Sequence, residues 1–289
     1  MLRFKGASGQ PGDAMAGSNW TARKVAAAIC ALALSAGAAQ ARGGPVAVDA
    51  EIVFAVDVSY SMDRIEQEMQ RDGYVQALTS PEFLAALKSN AIGKIAVAYM
   101  QWASYGDQDV VIPWTVIDGP ESAAAVAKRL KEAPFRRAQR TSISGASDAA
   151  MKMFGGNGYD GARLVIDVSG DGPNNNGRIV TEARDDAVEQ GFTINGLPLV
   201  GIREWMNPAD IREHDDYYED CVIGGPESFS VTSRDTKSFV EATRSKLVRE
   251  IASGPQIGPE PSLLTRAQGK EPRISCTIGE TLWRQRWGN

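Results

Sequence analysis

Three nearly continuous apolar runs constrain this 289-residue chain most: EIVFAV (51–56), KIAVAYMQWA (94–103) and ARLVIDVSG (162–170). A strand with one wet face alternates polar and apolar residues. A run that does not alternate must be covered on both faces. Helical patterns separate the runs. SMDRIEQEMQRDGYVQAL (61–78) carries Met62, Ile65 and Met69 at helical spacing, and PESAAAVAKRLKEA (120–133) has proline in its first turn. Further helices are expected over 144–154, 178–191 and 235–253, the last two ending at Gly191 and opening at Asp235. Repeated strand-then-helix order predicts an α/β fold: a doubly wound, mostly parallel open sheet with helices on both faces. DVVIPWTVI (109–117) contains Pro113, which cannot donate to a ladder, so it is expected as an antiparallel edge strand. FTINGLPLVGI (192–202) reads as a further strand interrupted by Gly196 and Pro198, and SFSVTS (228–233) as a short last one.

The two ends differ from the middle. Arg23 and Lys24 precede the apolar stretch 25–39 and a small-x-small signal at Ala39–Ala41. This pattern predicts a signal peptide over 1–41, cleavage after Ala41, and a periplasmic or secreted protein without a stable membrane span after cleavage. Residues 1–41 carry a net +3 (Arg3, Lys5, Arg23 and Lys24 against Asp13), so a chain of net −5 leaves about −8 after cleavage. An acidic chain without a basic run argues against nucleic acid and anionic membranes as partners. Cys221 and Cys276 then remain as an even pair, either bridged or as two free thiols. The expected organisation is one domain over 42–253 and a tail over 254–289, tied to it if that bridge forms.

In open α/β sheets ligands bind beyond the carboxyl ends of the strands. The first run ends in Asp57, Ser59 and Ser61, the fourth strand in SGDG with Asp171, and Thr141 opens a helical segment. Two carboxylates and three hydroxyls are hard oxygen donors, suited to Mg²⁺, Mn²⁺ or Ca²⁺. The only histidine and the two cysteines left after cleavage, of three in the chain, supply a soft-metal site poorly.

DVSYS, Thr141 and SGDG, threaded on this β/α order, resemble the metal-ion-dependent adhesion site of a von Willebrand factor A-type (vWA) domain, a likeness covering about residues 48–253. The chain also resembles secreted bacterial vWA-like proteins of undefined function. Gln139 and Arg140 stand where that family often has two glycines, and Gly170 where it often has Thr. The resemblance implies that Ser59, Ser61 and Thr141 touch the ion, Mg²⁺ first, with Mn²⁺ or Ca²⁺ as alternatives. Asp57 and Asp171 would hold its waters. An Asp or Glu carboxylate from a protein partner would complete the site. The function so implied is an interaction module and not an enzyme. The rivals are a metal-dependent phosphotransferase or hydrolase on a similar sheet, and a metal-independent envelope scaffold. Against the enzyme, Ser59 occupies the place of a second acidic residue two positions after Asp57.

Other features invite chemistry less strongly. Gly156, Gly158 and Gly161 form a dinucleotide fingerprint in the wrong order, before a strand, and read as a loop. His214, in an acidic stretch, reads as solvated. Asp167 lies inside an apolar run and needs a buried partner. Arg136, Arg137 and Arg140 read as a solvated loop able to attract an acidic group. Trp283 and Trp287 read as packing residues of the tail, and Trp205 as a rim residue.

Overall fold

The computed structural model describes residues 44–200, 211, 213–233, 236–252 and 272–288; the leader pattern, Trp205 and all of 253–271 lie outside them. The first apolar run becomes β2 (Ala50–Asp57), buried at every position. It is flanked by β3 (Ile95–Trp102) and β6 (Leu164–Gly170), both parallel to it. β7 (Phe192–Pro198) continues the parallel side, and β4 (Gln108–Ile117) closes the other edge antiparallel to β3, giving the order β4-β3-β2-β6-β7. The ladder between β3 and β4 shifts register opposite Pro113, which takes the missing amide out of the pairing.

Alternation along β2 explains the two layers. Ile52, Phe54 and Val56 pack against α1 (Arg64–Leu78), α2 (Pro81–Ser89), α3 (Pro120–Glu132) and α7 (Thr236–Ala252). Val53 and Ala55 pack against α4 (Ile143–Phe154), α5 (Val180–Glu189) and the short helix α6 (His214–Tyr217) with its π-turn Tyr218–Val222. Both faces are therefore covered, as the unbroken apolar runs require.

Several local expectations change. The first helix starts at Arg64, because Asp63 and Glu66 form a capping box that fixes its entry. Met62 is buried ahead of that helix, while Ile65 is 70% exposed on its outer side. Residues 80–89 give α2, which the sequence reading left unassigned, with Ser80 accepting from the Phe83 amide. The glycine-rich stretch read as a loop contains β5 (Tyr159–Gly161), paired in parallel with β1 (Val46–Val48). Glu51 anchors this ribbon by accepting from the Gly161 amide (2.8 Å) and from Asn157 (2.5 Å). Residues 228–233 form isolated bridges beside β7, not a strand. Gly196 exchanges bonds with Phe229 and Val231, but the next outward position, Pro198, has no N–H to extend the ladder.

Asp167 finds its partners across the sheet face. Lys246 Nζ lies 2.5 Å from Asp167 Oδ1 and also pairs with Glu250; all three side chains are buried. Tyr74 donates to Asp167 and Asn195 to Glu250. Burial, then Asp167, push the Glu250 carboxyl from 4.5 up to about 7, with Lys246 opposing. Burial works against the charge of Lys246, but Asp167 and Glu250 outweigh it and hold its pKa above the usual value. Lys246→Met, leaving two carboxylates without their cation, is expected to cost about 3–5 kcal/mol at pH 7 in urea unfolding. Since folded Glu250 holds its proton at higher pH than unfolded Glu250, its contribution to stability falls as pH rises from 4.5 through 7. Glu250→Gln should flatten that part of the pH–stability curve.

Candidate metal centre

The carboxyl ends of β2 and β6 bring the acidic residues together. Asp57, fully buried, accepts from the Ser59 amide at 2.7 Å. Ser61 Oγ donates to Asp171 Oδ1 at 2.6 Å, so its 2.6 Å contact with Ser59 Oγ must be donated by Ser59. Asp57, Ser59, Ser61 and Asp171 thus form one connected chain of oxygens. Thr141 reaches the same place through its backbone: its amide donates to Asn175 Oδ1 (3.0 Å) and its carbonyl accepts from the Asn175 amide (2.8 Å). Its hydroxyl stands beside Gly172, 3.7 Å from where a Cβ would be, and lines one cavity with Ser59 and Ser61.

Two carboxylates, Asp57 and Asp171, act on each other at this rim. Burial first, and the negative charge of Asp171 second, push the Asp57 carboxyl well above its ordinary range. Asp57 Oδ2 is buried without a hydrogen-bond partner. A buried, unpaired carboxylate oxygen is costly, and a nearby cation or a water held by one would offset that cost. Gly170 makes the approach feasible: a Cβ there would lie 2.9 Å from Asp57 Oδ2 and 3.2 Å from the Tyr218 hydroxyl. Among the described residues no group of three or more His, Cys, Asp or Glu side chains could hold a metal. The donor set is instead rich in hydroxyls, with two carboxylates, which fits a hard divalent cation.

The loop after β6 organises the rim. Its three asparagines reach two other segments: Asn174 Oδ1 accepts from the Ser144 amide and Asn175 Oδ1 from that of Thr141, both at the entry to α4, and Asn176 Oδ1 from that of Tyr105. An Asn triplet directly after an acidic strand end was the available signal, since each amide can bridge backbone groups on other loops.

His214 is corrected outright: it is buried, with Nε2 3.1 Å from the Gly170 carbonyl. Its neighbours Tyr217, Tyr218, Cys221 and Val222 all enter the core and carry it inward. Burial lowers its pKa to about 4 against the opposing bond to Gly170, so it is neutral and braces the strand end. Of the loop arginines, Arg136 pairs with Asp107 (2.7 Å) and Arg137 donates to the Tyr60 carbonyl (2.5 Å). Arg140 adopts φ 71°, a left-handed conformation rare outside glycine, and sets its guanidinium 3.5 Å from the centre of the Trp283 ring.

Trp283 belongs to α8 (Ile278–Trp287), whose place at the rim the sequence did not reveal. Cys221 and Cys276 are bridged just ahead of it. Gly279 lies so close to Asn174 that a Cβ would come within 2.0 Å of the Asn174 carbonyl oxygen, and Glu280 accepts from Asn174 Nδ2. Arg273 adds ion pairs to Asp216, Glu219 and Asp220.

Residues 47–255 match the family described as "Protein of unknown function (DUF1194)". The chain belongs to this family. No curated protein sequence matches it. Among solved structures, this DUF1194 domain is similar to proximal thread matrix protein 1 from the mussel byssus, at 14% identity and TM-score 0.52, over 73% of this chain and 49% of that one. It is also similar to the vWF domain of the type V pili tip protein Mfa5 from Porphyromonas gingivalis, at 10% identity and TM-score 0.51, over 74% and 98%. The pilus adhesin SpaC from Lactobacillus rhamnosus GG gives 13% identity and TM-score 0.50, over 73% and 31%. This chain thus spans about half of the first of these proteins and a third of the last. The fold of this DUF1194 domain is that of vWA domains, as the order of strands and the rim residues led us to expect.

The bridge closes a loop with a sequence separation of 55 residues. Replacing both cysteines by serine should lower stability by as much as roughly 4 kcal/mol. Urea unfolding of the double variant beside the oxidised protein measures this.

Proposed function

We propose that this domain is an exported module that binds a hard divalent cation, Mg²⁺ first, and through it an acidic group on a protein partner. The observation that carries the reading is the connected set Asp57–Ser59–Ser61–Asp171 at the carboxyl end of the central strands, with a buried carboxylate oxygen left unpaired. Ser59, Ser61 and Thr141 would offer neutral oxygens to the ion, and Asp57 and Asp171 would orient its waters. Bound there, the cation supplies an electrophilic position for an incoming carboxylate. Few direct carboxylates among the donors keep that position attractive to an anion.

Export is supported by the leader pattern over 1–41 and by a disulfide of the kind that persists in oxidising compartments. Among the described residues no helix is long and apolar enough to cross a membrane. The organisation that follows is a leader, a domain over 42–253 and a tail over 254–289. An enzymatic role is disfavoured because His214 is buried against a backbone carbonyl and, among the described residues, no histidine stands beside Asp57 as a base.

Calorimetric titration with Mg²⁺, Mn²⁺ and Ca²⁺ tests the reading. Saturable binding to the wild type is expected, lost in Asp57→Ala and Thr141→Ala, with both variants still cooperatively folded. At 100 times its dissociation constant the ion should add about 2.7 kcal/mol to stability. Equal affinity in wild type and variants would sink the site assignment. Partner capture that persists in EDTA would favour a metal-independent scaffold, and turnover of aryl phosphates requiring Asp57 would favour the hydrolase.

A further inference from the structure

The cavity above the candidate metal centre has a second wall that the cation does not explain. About 540 Å³ in volume, it is lined by Ser61 and Thr141 of the rim, by Arg140 next to Thr141, and by Trp283, Arg286 and Trp287 of α8. We propose that this is a composite pocket for a partner's acidic side chain together with an adjacent aromatic or large aliphatic one, with α8 as the wall that selects the second. The inference rests on the cation reading for its acidic half.

Three observations support it. First, the apolar surface is concentrated. Trp287 is 62% exposed and Tyr60, at the same cavity, 55% exposed. Single exposed aromatics are ordinary, but two beside a stacked Trp–Arg pair in one concavity have the composition of binding hot spots. Second, the wall is held rigidly: the disulfide, the packing of Gly279 on Asn174 and the Glu280–Asn174 bond fix α8 to the loop that also carries Asp171. A wall ordered in advance does not charge its ordering to the binding event. Third, Arg140 keeps a left-handed backbone at a position where glycine would be relaxed, and its side chain is spent on Trp283 and the Asn175 carbonyl. Strain of that kind persists where the surroundings over-determine it, commonly at binding sites.

Charge decides between occupants. The chain is net acidic, yet Arg140 and Arg286 line this cavity and Arg137 stands over the Tyr60 ring. A basic or purely apolar segment would gain nothing from them, whereas an acidic residue beside an apolar one uses both walls. The volume accommodates about two side chains, within the usual range for small-ligand sites.

Three probes test the inference on the full chain: N-acetyl-Asp-Phe-amide, N-acetyl-Phe-Asp-amide and N-acetyl-Asp-Gly-amide, titrated in saturating Mg²⁺ and in EDTA and read by the indole N–H resonances. In Mg²⁺ at least one phenylalanine probe should bind about tenfold tighter than the glycine probe, corresponding to partial burial of one ring. EDTA should abolish binding of all three. Trp287→Ala, at an exposed position, should bring the ratio close to one while leaving Mg²⁺ affinity unchanged, and Trp287→Phe should retain most of it. Equal binding of the probes by the wild type, or an undiminished preference in both Trp287→Ala and Trp283→Ala, would overturn the pocket and leave the cation reading standing. Mg²⁺ binding without binding of any probe would do the same. Absence of Mg²⁺ binding would remove the cation reading and this inference with it.

Discussion

Asp57 sits at the end of the central strand of a sheet covered on both faces, so no water reaches its carboxyl from the side. Its carboxyl lies at the rim end of the strand and is itself wholly covered. Each neighbouring element meets the consequence there. Ser59 turns its amide back onto one carboxylate oxygen, Gly170 gives up a side chain to make room for the other, and His214 and Tyr218 close the floor beneath. The oxygen that remains unpaired lies beside Gly170, close to the Tyr218 hydroxyl. A buried carboxylate oxygen without a partner is a local cost, which the cation proposed above would offset.

The same fold holds a second group of buried charges and resolves it differently. Asp167 and Glu250 receive Lys246 from α7, and that interaction ties the last long helix to the sheet. Among the described residues no lysine pairs with Asp57. Asp167 and Asp57 are buried carboxylates on adjacent strands, the first closed by a protein cation and the second left with an unpaired oxygen. A closed cluster contributes specificity of packing, whereas an open one can respond to what arrives from solvent.

The sequence disclosed what depends on local pattern. Runs 51–56, 94–103 and 162–170 showed a sheet buried on both sides because nothing else tolerates such runs, and Pro113 marked the edge. Asp57, Ser59, Ser61 and Asp171 were legible because they follow those strands directly. What depends on tertiary contact was not. Three-residue strands such as β1 and β5 have no period to detect. Lys246 and Glu250, four apart on a helix, look like a solvated pair until Asp167 is placed opposite. His214 reads as exposed amid acids, although the tyrosines and cysteine beyond it decide its depth. Trp283 and Trp287 are far in sequence from Asp171, and their place depends on Cys221, Gly279 and Asn174.

Cys221 lies in the turn that carries Tyr218, and Tyr218 stands beside Gly170 and Asp57 at the floor of the site. The bridge to Cys276 therefore joins floor and wall in one covalent circuit. In a reducing environment the sheet and its serine rim have all they need to form, while α8 lacks its covalent hold. If α8 is the selecting wall proposed above, reduction would leave it held by Gly279 on Asn174, by Glu280 and by the Arg273 ion pairs, so selectivity would depend on redox state before cation affinity did.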